Sequence, residues 1–239
     1  FRDYRRNLVL WVLLVGLPVA FITLSILVTP ADPAPVELTE DGIRSLQILM
    51  MDDLHGAIMV PITVGFISGL AGLFVVLGSA DADRRLVLAG YRPLEVLSAR
   101  LGIVVGASLL TTAVALAVTA VSFTPQSWAL FATANVIVAL TYAMIGVLIG
   151  PLTGLLGGLY LMLALPFLDI GIAQNAMFDA APPAWAIYMP GFGSVRVLLD
   201  GAFTSGFDEW PALLVALAWL VSLTGAAAWQ FHRLARPRA

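Results

Sequence analysis

Six apolar runs, each of a length that crosses a bilayer, dominate this chain: Leu8–Val28, Ala57–Ser79, Leu101–Phe123, Ala129–Ile149, Leu152–Leu168 and Pro211–Phe231. A transmembrane helix needs about 20 apolar residues, and a helix pairs every backbone polar group within such a run. Residues are 60% hydrophobic and 11% charged, and the mean hydropathy of +0.97 excludes an ordinary soluble domain. The expected fold class is an all-α integral membrane protein: one transmembrane domain over residues 1–239, with six membrane-spanning helices. Leu8–Val28 is longer than the apolar stretch of a signal peptide and lacks a small-residue cleavage site, so it reads as a retained span.

Asp81–Arg100 (DADRRLVLAGYRPLEVLSAR) is a charged island between the second and third runs. Burying one such charge at the bilayer centre costs about 2.5–3.5 kcal/mol even on an insertion scale, so the island belongs in water. With both termini on the cytoplasmic side, ten arginines fall inside and only Arg44 and Arg196 fall outside. This follows the positive-inside rule. Phe1–Asn7 (FRDYRRN) reads as an interfacial helix leading into the first span.

Two connections stand out. Thr29–Gly56 is external. Its TPADPAP start is stiffened by proline, and Asp41–Leu54 has the composition of a short helix. Asp169–Glu209 is too polar and too broken to be a span. It reads as an external region with two short segments that dip into or lie on the outer leaflet, with Trp185 and Tyr188 at headgroup level and a helix over Ser194–Phe203. There Arg196 and Asp200 stand one turn apart, and Asp208 is expected to cap the last span. Gly146, Gly150, Gly154 and Gly158 recur every fourth residue around Pro151 and predict a tight hairpin between closely packed helices.

Several chemistries are excluded. All twelve basic residues are arginine, so there is no Schiff-base or P-loop lysine. Cysteine is absent, and His55 and His232 lie at opposite ends of the chain's spans. Neither histidine reaches Ser68 in Gly65-Phe66-Ile67-Ser68-Gly69, so Ser68 reads as a packing residue. No metal-ligand spacing is present, and a net charge of −3 gives no basic surface for nucleic acid. Polar residues inside the spans are few: Thr111, Thr112, Thr119, Asn135, Thr141 and Tyr142, with Asp169 at the outer end of span five. Without buried ion pairs, a proton-driven transporter or ion channel is disfavoured. Phe66, Asn135 and Tyr142 are the candidate residues of a substrate path.

Taken together, these residues resemble the ABC type-2 exporter permeases. The likeness rests on six spans with both ends inside, an amphipathic segment before the first, and the hairpin D-x-D-R-R-x₄-A-G-Y-R-P-L-E-V-L-x-A-R at 81–100. It also rests on the broken stretch at 182–196, Pro-Pro-Ala-Trp followed by Tyr-Met-Pro-Gly-Phe-Gly-Ser-Val-Arg. The resemblance implies that Asp83, Arg84, Arg85, Gly90, Tyr91, Arg92 and Pro93 form a coupling element that docks on a separate ATP-binding cassette ATPase. Gly90 and Pro93 turn the chain there, and exposed Arg and Tyr are residue types enriched at interfaces. It further implies a second permease copy or sister permease, with ATP and magnesium held by the ATPase and no cofactor or enzyme activity on this chain. The setting would be a bacterial cytoplasmic membrane, among its lipids. The cargo would be hydrophobic or amphipathic: a drug, a lipid or a lipid-linked glycan. A non-transport scaffold is the alternative, and an intramembrane enzyme is disfavoured by the histidine placement.

Overall fold

The computed structural model describes residues 12–235, so the helix expected over Phe1–Asn7 lies outside the described residues. A π-helical turn, Val12–Gly16, leads into α1 (Leu17–Val28). Then follow β1 (Pro33–Glu40), β2 (Ile43–Met50), α2 (Met51–Leu88), α3 (Pro93–Thr119) and α4 (Trp128–Pro166), the last extended by a π-helical turn, Phe167–Ile172. A 3₁₀ turn (Ala184–Tyr188), α5 (Phe192–Phe203) and α6 (Trp210–Ala235) complete the described chain.

Four helical stretches are long and apolar enough to cross a membrane: Met51–Ser79, Glu95–Thr119, Trp128–Ile172 and Trp210–Arg233. The third doubles back on itself. In a straight helix Tyr142 and Asp169 would be about 40 Å apart, at about 1.5 Å per residue. Instead the Tyr142 hydroxyl lies 2.5 Å from Asp169 Oδ2. The reversal falls at Gly154, with φ 69° and ψ −170°, a conformation that a residue without Cβ adopts readily. Pro151, the residue expected to interrupt the helix, stays inside α4. The glycine-rich hairpin is therefore present, with its two limbs antiparallel beside α2. Tyr142 and Pro166 both face Gly65, and Gly150 and Gly158 both face Leu73.

Contact between α2 and α4 is backbone to backbone. A Cβ on Gly146 would sit 2.0 Å from the Gly69 carbonyl oxygen, and one on Gly72 would sit 2.2 Å from that of Ala143. Such approaches are what small residues in membrane helices permit. The glycine strips at 65/69 and 146/150/158 are thus used within the chain, whereas Gly102 and Gly106 of α3 face open space. Burial follows the same division: 67% of the central α2 window is buried, against 17% for α6, so α2 and α4 form the centre.

Three features depart from the sequence expectation. First, the fold is not wholly helical. The helix expected over Asp41–Leu54 is instead β2 and the start of α2, and β2 pairs antiparallel with β1, Val36 opposite Gln47 and Leu38 opposite Ser45. The loop is Asp41-Gly42, both at positive φ (54° and 74°), the geometry of a two-residue hairpin turn. Backbone pairing and the burial of Ala34, Val36 and Leu38 against the core prevail over helical composition. Second, α2 does not stop at Ser79 but runs on to Leu88, and α3 opens as early as Pro93, so most of the charged island is helix rather than loop. Third, α5 does not lie on a surface. Every residue from Gly193 to Ala202 is buried, with Gly193 against Ala212 and Gly201 against Leu130. A helix that is enclosed all round needs no polar face toward water.

The connections gather at two ends. At one end are the β-hairpin, the 120–127 turn and residues 173–209, tied by Ser127 N–H to the Gly201 carbonyl (2.8 Å) and Glu37 N–H to that of Ala180 (2.8 Å). The opposite end holds the α2–α3 turn, Gly154 and the end of α6, where Gln230 Nε2 donates to the Leu148 carbonyl (3.1 Å).

Candidate functional site

The α2–α3 turn is short and stiff. Ala89 ends α2, Gly90 takes φ 98°, and α3 opens at Pro93 with Pro in its first turn, where a missing N–H costs nothing. The Arg92 backbone N–H donates to the Glu95 carboxylate (3.3 Å), closing the first turn of α3. Arg85, Leu88, Tyr91 and Arg92 are exposed at this tip. Arg84 lies within α2.

Asp83 belongs to a different part of the structure. Its side chain is buried, and Arg100 donates to its Oδ1 from Nη2 at 2.8 Å and from Nε at 2.9 Å. Ser79 Oγ donates to Oδ2 at 2.7 Å. These bonds clamp α2 to α3 at the base of the hairpin. Asp83 is therefore engaged inside the hairpin, while Arg85, Tyr91 and Arg92 face outward. The sequence carried a signal for this: an acid and an arginine placed equally far from the point between Tyr91 and Arg92, on antiparallel helices, come level with each other.

The three path candidates sit in the packed interior. Phe66 packs beside Leu70, Leu73 and Met162. Asn135 is fully buried, and its Nδ2 donates to the Phe131 carbonyl at 2.9 Å. Tyr142 is fully buried and donates to Asp169. Asp169 is a hub at the end that carries the β-hairpin. It accepts from Tyr142, from Gln174 Nε2 (2.5 Å) and from the Gly191 backbone N–H (2.8 Å). One carboxylate thus joins both limbs of α4 to the turn that begins α5. Thr112 and Thr119 bond to carbonyls of their own helix, those of Ser108 and Ala115 (2.8 and 2.9 Å). Ser68 is buried beside Gly69.

Buried charges do occur, at the end that carries the β-hairpin. Arg196 of α5 is 5% exposed and turns away from Asp200. It pairs with Glu209 (Nη2 to Oε1 3.2 Å) and Glu37 (3.3 Å), and its Nη1 donates to the Glu37 carbonyl (3.2 Å). Thr39 donates to Glu209 (2.7 Å). The guanidinium therefore fastens β1 to α5 and to the start of α6. A cleft of about 530 Å³ opens beside it, bounded by Arg44, Ile187, Phe192, Asp208 and Pro211. The Asp208 backbone N–H is held by Asp200 Oδ2 (3.0 Å), so Asp200 is the carboxylate that secures the chain entering α6. Burial raises the Asp200 carboxyl above its ordinary value, opposed by hydrogen bonds from Thr204 and the Asp208 backbone.

Among the described residues, no group of three or more His, Cys, Asp or Glu side chains is placed to hold a metal. The four long apolar stretches and this distribution of charge define a membrane protein. No family model, curated protein or solved structure matches the chain.

Proposed function

We propose that this chain is the membrane-embedded permease subunit of an ATP-driven exporter, with six spans, both termini cytoplasmic and the α2–α3 hairpin inside. The six spans are α1 with its preceding apolar residues, α2, α3, the two limbs of α4, and α6. Arg85, Arg92, Arg100 and Arg233 lie at the hairpin end and Arg44 and Arg196 at the other, an asymmetry that supports this orientation.

The observation that carries the reading is the shape and chemistry of the hairpin. With 38 residues, α2 is about 57 Å long at about 1.5 Å per residue, against a hydrocarbon core of about 30 Å. Its far end stands clear of lipid, braced by Asp83 and Arg100, and presents Leu88 (75% exposed), Tyr91 (56% exposed), Arg85 and Arg92. A rigid lever tipped with arginine, tyrosine and an apolar anchor suits docking on a motor subunit. A topogenic loop has no need of the brace. ATP and magnesium would reside on that partner. Closure of the ATPases would push the lever and, through the backbone contact of α2 with α4, move the helices that surround an apolar or amphipathic cargo.

The test is co-purification of an ATP-binding cassette subunit from the native membrane, with and without the R84E/R85E/R92E variant. Recovery with the native chain and loss with the variant are expected. Equal recovery would leave the hairpin as a topology signal. Single cysteines at Ser45 and Ser205 should react with an impermeant maleimide from outside intact cells. A cysteine at Ala89 should not.

A further inference from the structure

The two edges of the β-hairpin differ. Glu37 N–H donates to the Ala180 carbonyl (2.8 Å), and the Glu37 carbonyl accepts from Arg196 Nη1 (3.2 Å). Both groups therefore point away from β2, so Glu37 and its partner Leu46 are a pair that makes no ladder bond with each other. By alternation, Pro33, Pro35 and Thr39 share this outward sense on β1, and Arg44 and Ile48 share it on β2. The β1 edge is closed: its two prolines have no N–H to leave unpaired, and Glu37 is bonded on both sides. The β2 edge is bare. Among the described residues, no hydrogen bond reaches the outward N–H and C=O groups of Arg44, Leu46 and Ile48. Leu46 is 65% exposed and Ile48 68%. Edge strands are commonly blunted by proline, bulges or several charges, and β2 has only Arg44.

We propose that the β2 edge pairs with the β2 edge of a second copy of this chain, joining two hairpins into one four-stranded antiparallel sheet. The strand is complementary to itself. Outward residues can bond only to outward residues, and setting Leu46 opposite Leu46 of the second copy places Arg44 opposite Ile48 and Ile48 opposite Arg44. Every bare residue of both edges is then bonded, each pair exchanging both hydrogen bonds. The two arginines stay apart, whereas a slide that set Arg44 against Arg44 would bring like charges together. Such self-pairing has a two-fold axis at Leu46, the closed symmetry of most homodimers. Position favours a neighbour as well. β1 runs across the helix ends, from Asp32, whose carbonyl accepts from Met51 N–H at the start of α2 (2.8 Å), to Thr39, which donates to Glu209 beside α6 (2.7 Å). The β1 edge faces Ala180 and Arg196 of α5, so the β2 edge points away from them. A second copy inserted the same way presents its own β2 at the same level.

The inference is independent of the transport reading, and its test needs no transport activity. The chain has no cysteine, so a single one reports cleanly. Opposed residues of a bonded pair have Cα atoms about 5.5 Å apart, inside the disulfide range of about 4.4–6.8 Å. Full-length L46C, oxidised in its native membrane, should therefore form a disulfide-linked pair of this chain. Its yield should exceed that of S205C, an exposed site at the same end of the molecule, at least about fivefold. Adding I48K to L46C sets a lysine opposite Arg44 of the second copy and should remove most of the cross-link. Adding R44E as well restores opposite charges across the pair and should recover it. A yield for L46C no higher than for S205C overturns the pairing. So does a cross-link to a different protein, a yield unmoved by I48K, or a loss that R44E does not recover.

Discussion

Tyr142 and Asp169 are 27 positions apart in sequence, yet the tyrosine hydroxyl donates to the carboxylate at 2.5 Å. This bond closes the α4 reversal at the end opposite Gly154. Both side chains are buried, and the same carboxylate also anchors Gly191 at the start of α5. Its removal is therefore felt in two places at once.

Tyr142→Phe keeps the ring and leaves Asp169 one donor short. A buried group left under-bonded costs about 1–3 kcal/mol, more if it stays charged. Thermal unfolding in detergent should begin at a lower temperature, and proteolysis at residues 173–191 should quicken. An unchanged midpoint would mean that Asp169 finds a replacement donor.

Arg100→Ala strands the buried Asp83 carboxylate. Breaking a fully buried pair costs about 3–5 kcal/mol, and Arg100 is partly exposed, so about 2–3 kcal/mol is expected. Arg100→Ala together with Asp83→Asn should recover part of that loss. Fluorescence-detected thermal melts of the two variants and the native protein decide it. If the double variant is no better than the single, the pair is not a clamp.

Gly146→Ala places a methyl group 2.0 Å from the Gly69 carbonyl oxygen, so α2 and α4 must separate. Overpacking costs typically about 1–3 kcal/mol, and backbone offers little give, so about 3 kcal/mol or more is expected. Gly102→Ala meets nothing within 4 Å and gains helix propensity worth about 1 kcal/mol. Expression and melting temperature should fall for the first variant and hold or rise for the second. Equal behaviour of the two would refute the close α2–α4 contact.

Asp200 sets a pH dependence with a definite sign. Burial raises its folded carboxyl above the ordinary value of 3.8, so the folded state holds the proton more tightly than the unfolded state. Stability contributed by the protonated form is present below the unfolded value and is lost as pH rises through the folded value. Asp200→Asn keeps an oxygen to accept the Asp208 N–H and removes the titration. Melts taken upward from about pH 4 should fall for the native protein relative to Asp200→Asn, and parallel curves would exclude the effect.

Much of the α-helical layout was legible because hydrophobic length and charge placement are local properties. The island at Asp81–Arg100 had to leave the apolar phase, and Gly90 had to turn there. The β-hairpin also left a local trace. Asp41-Gly42, flanked by alternating Val36, Leu38, Leu46 and Ile48, is a strong two-residue turn signal, and helical composition obscured it.

By itself, the sequence determined that long apolar helices form and where charged connections interrupt them, since a run of about 20 apolar residues has few other stable states in lipid. Tertiary structure alone decided which charges are spent on holding the protein together. Asp83 reads like Arg85 and Arg92, a charge in one island, yet antiparallel packing of α2 and α3 buries it against Arg100 while the other two remain free. Arg196 reads as a partner for Asp200 one turn away, yet Glu37 of β1 and Glu209 at the start of α6 converge on it from other elements. The reason is physical: periodicity fixes neighbours within one helix, whereas desolvation of a charge depends on what other elements bring to it.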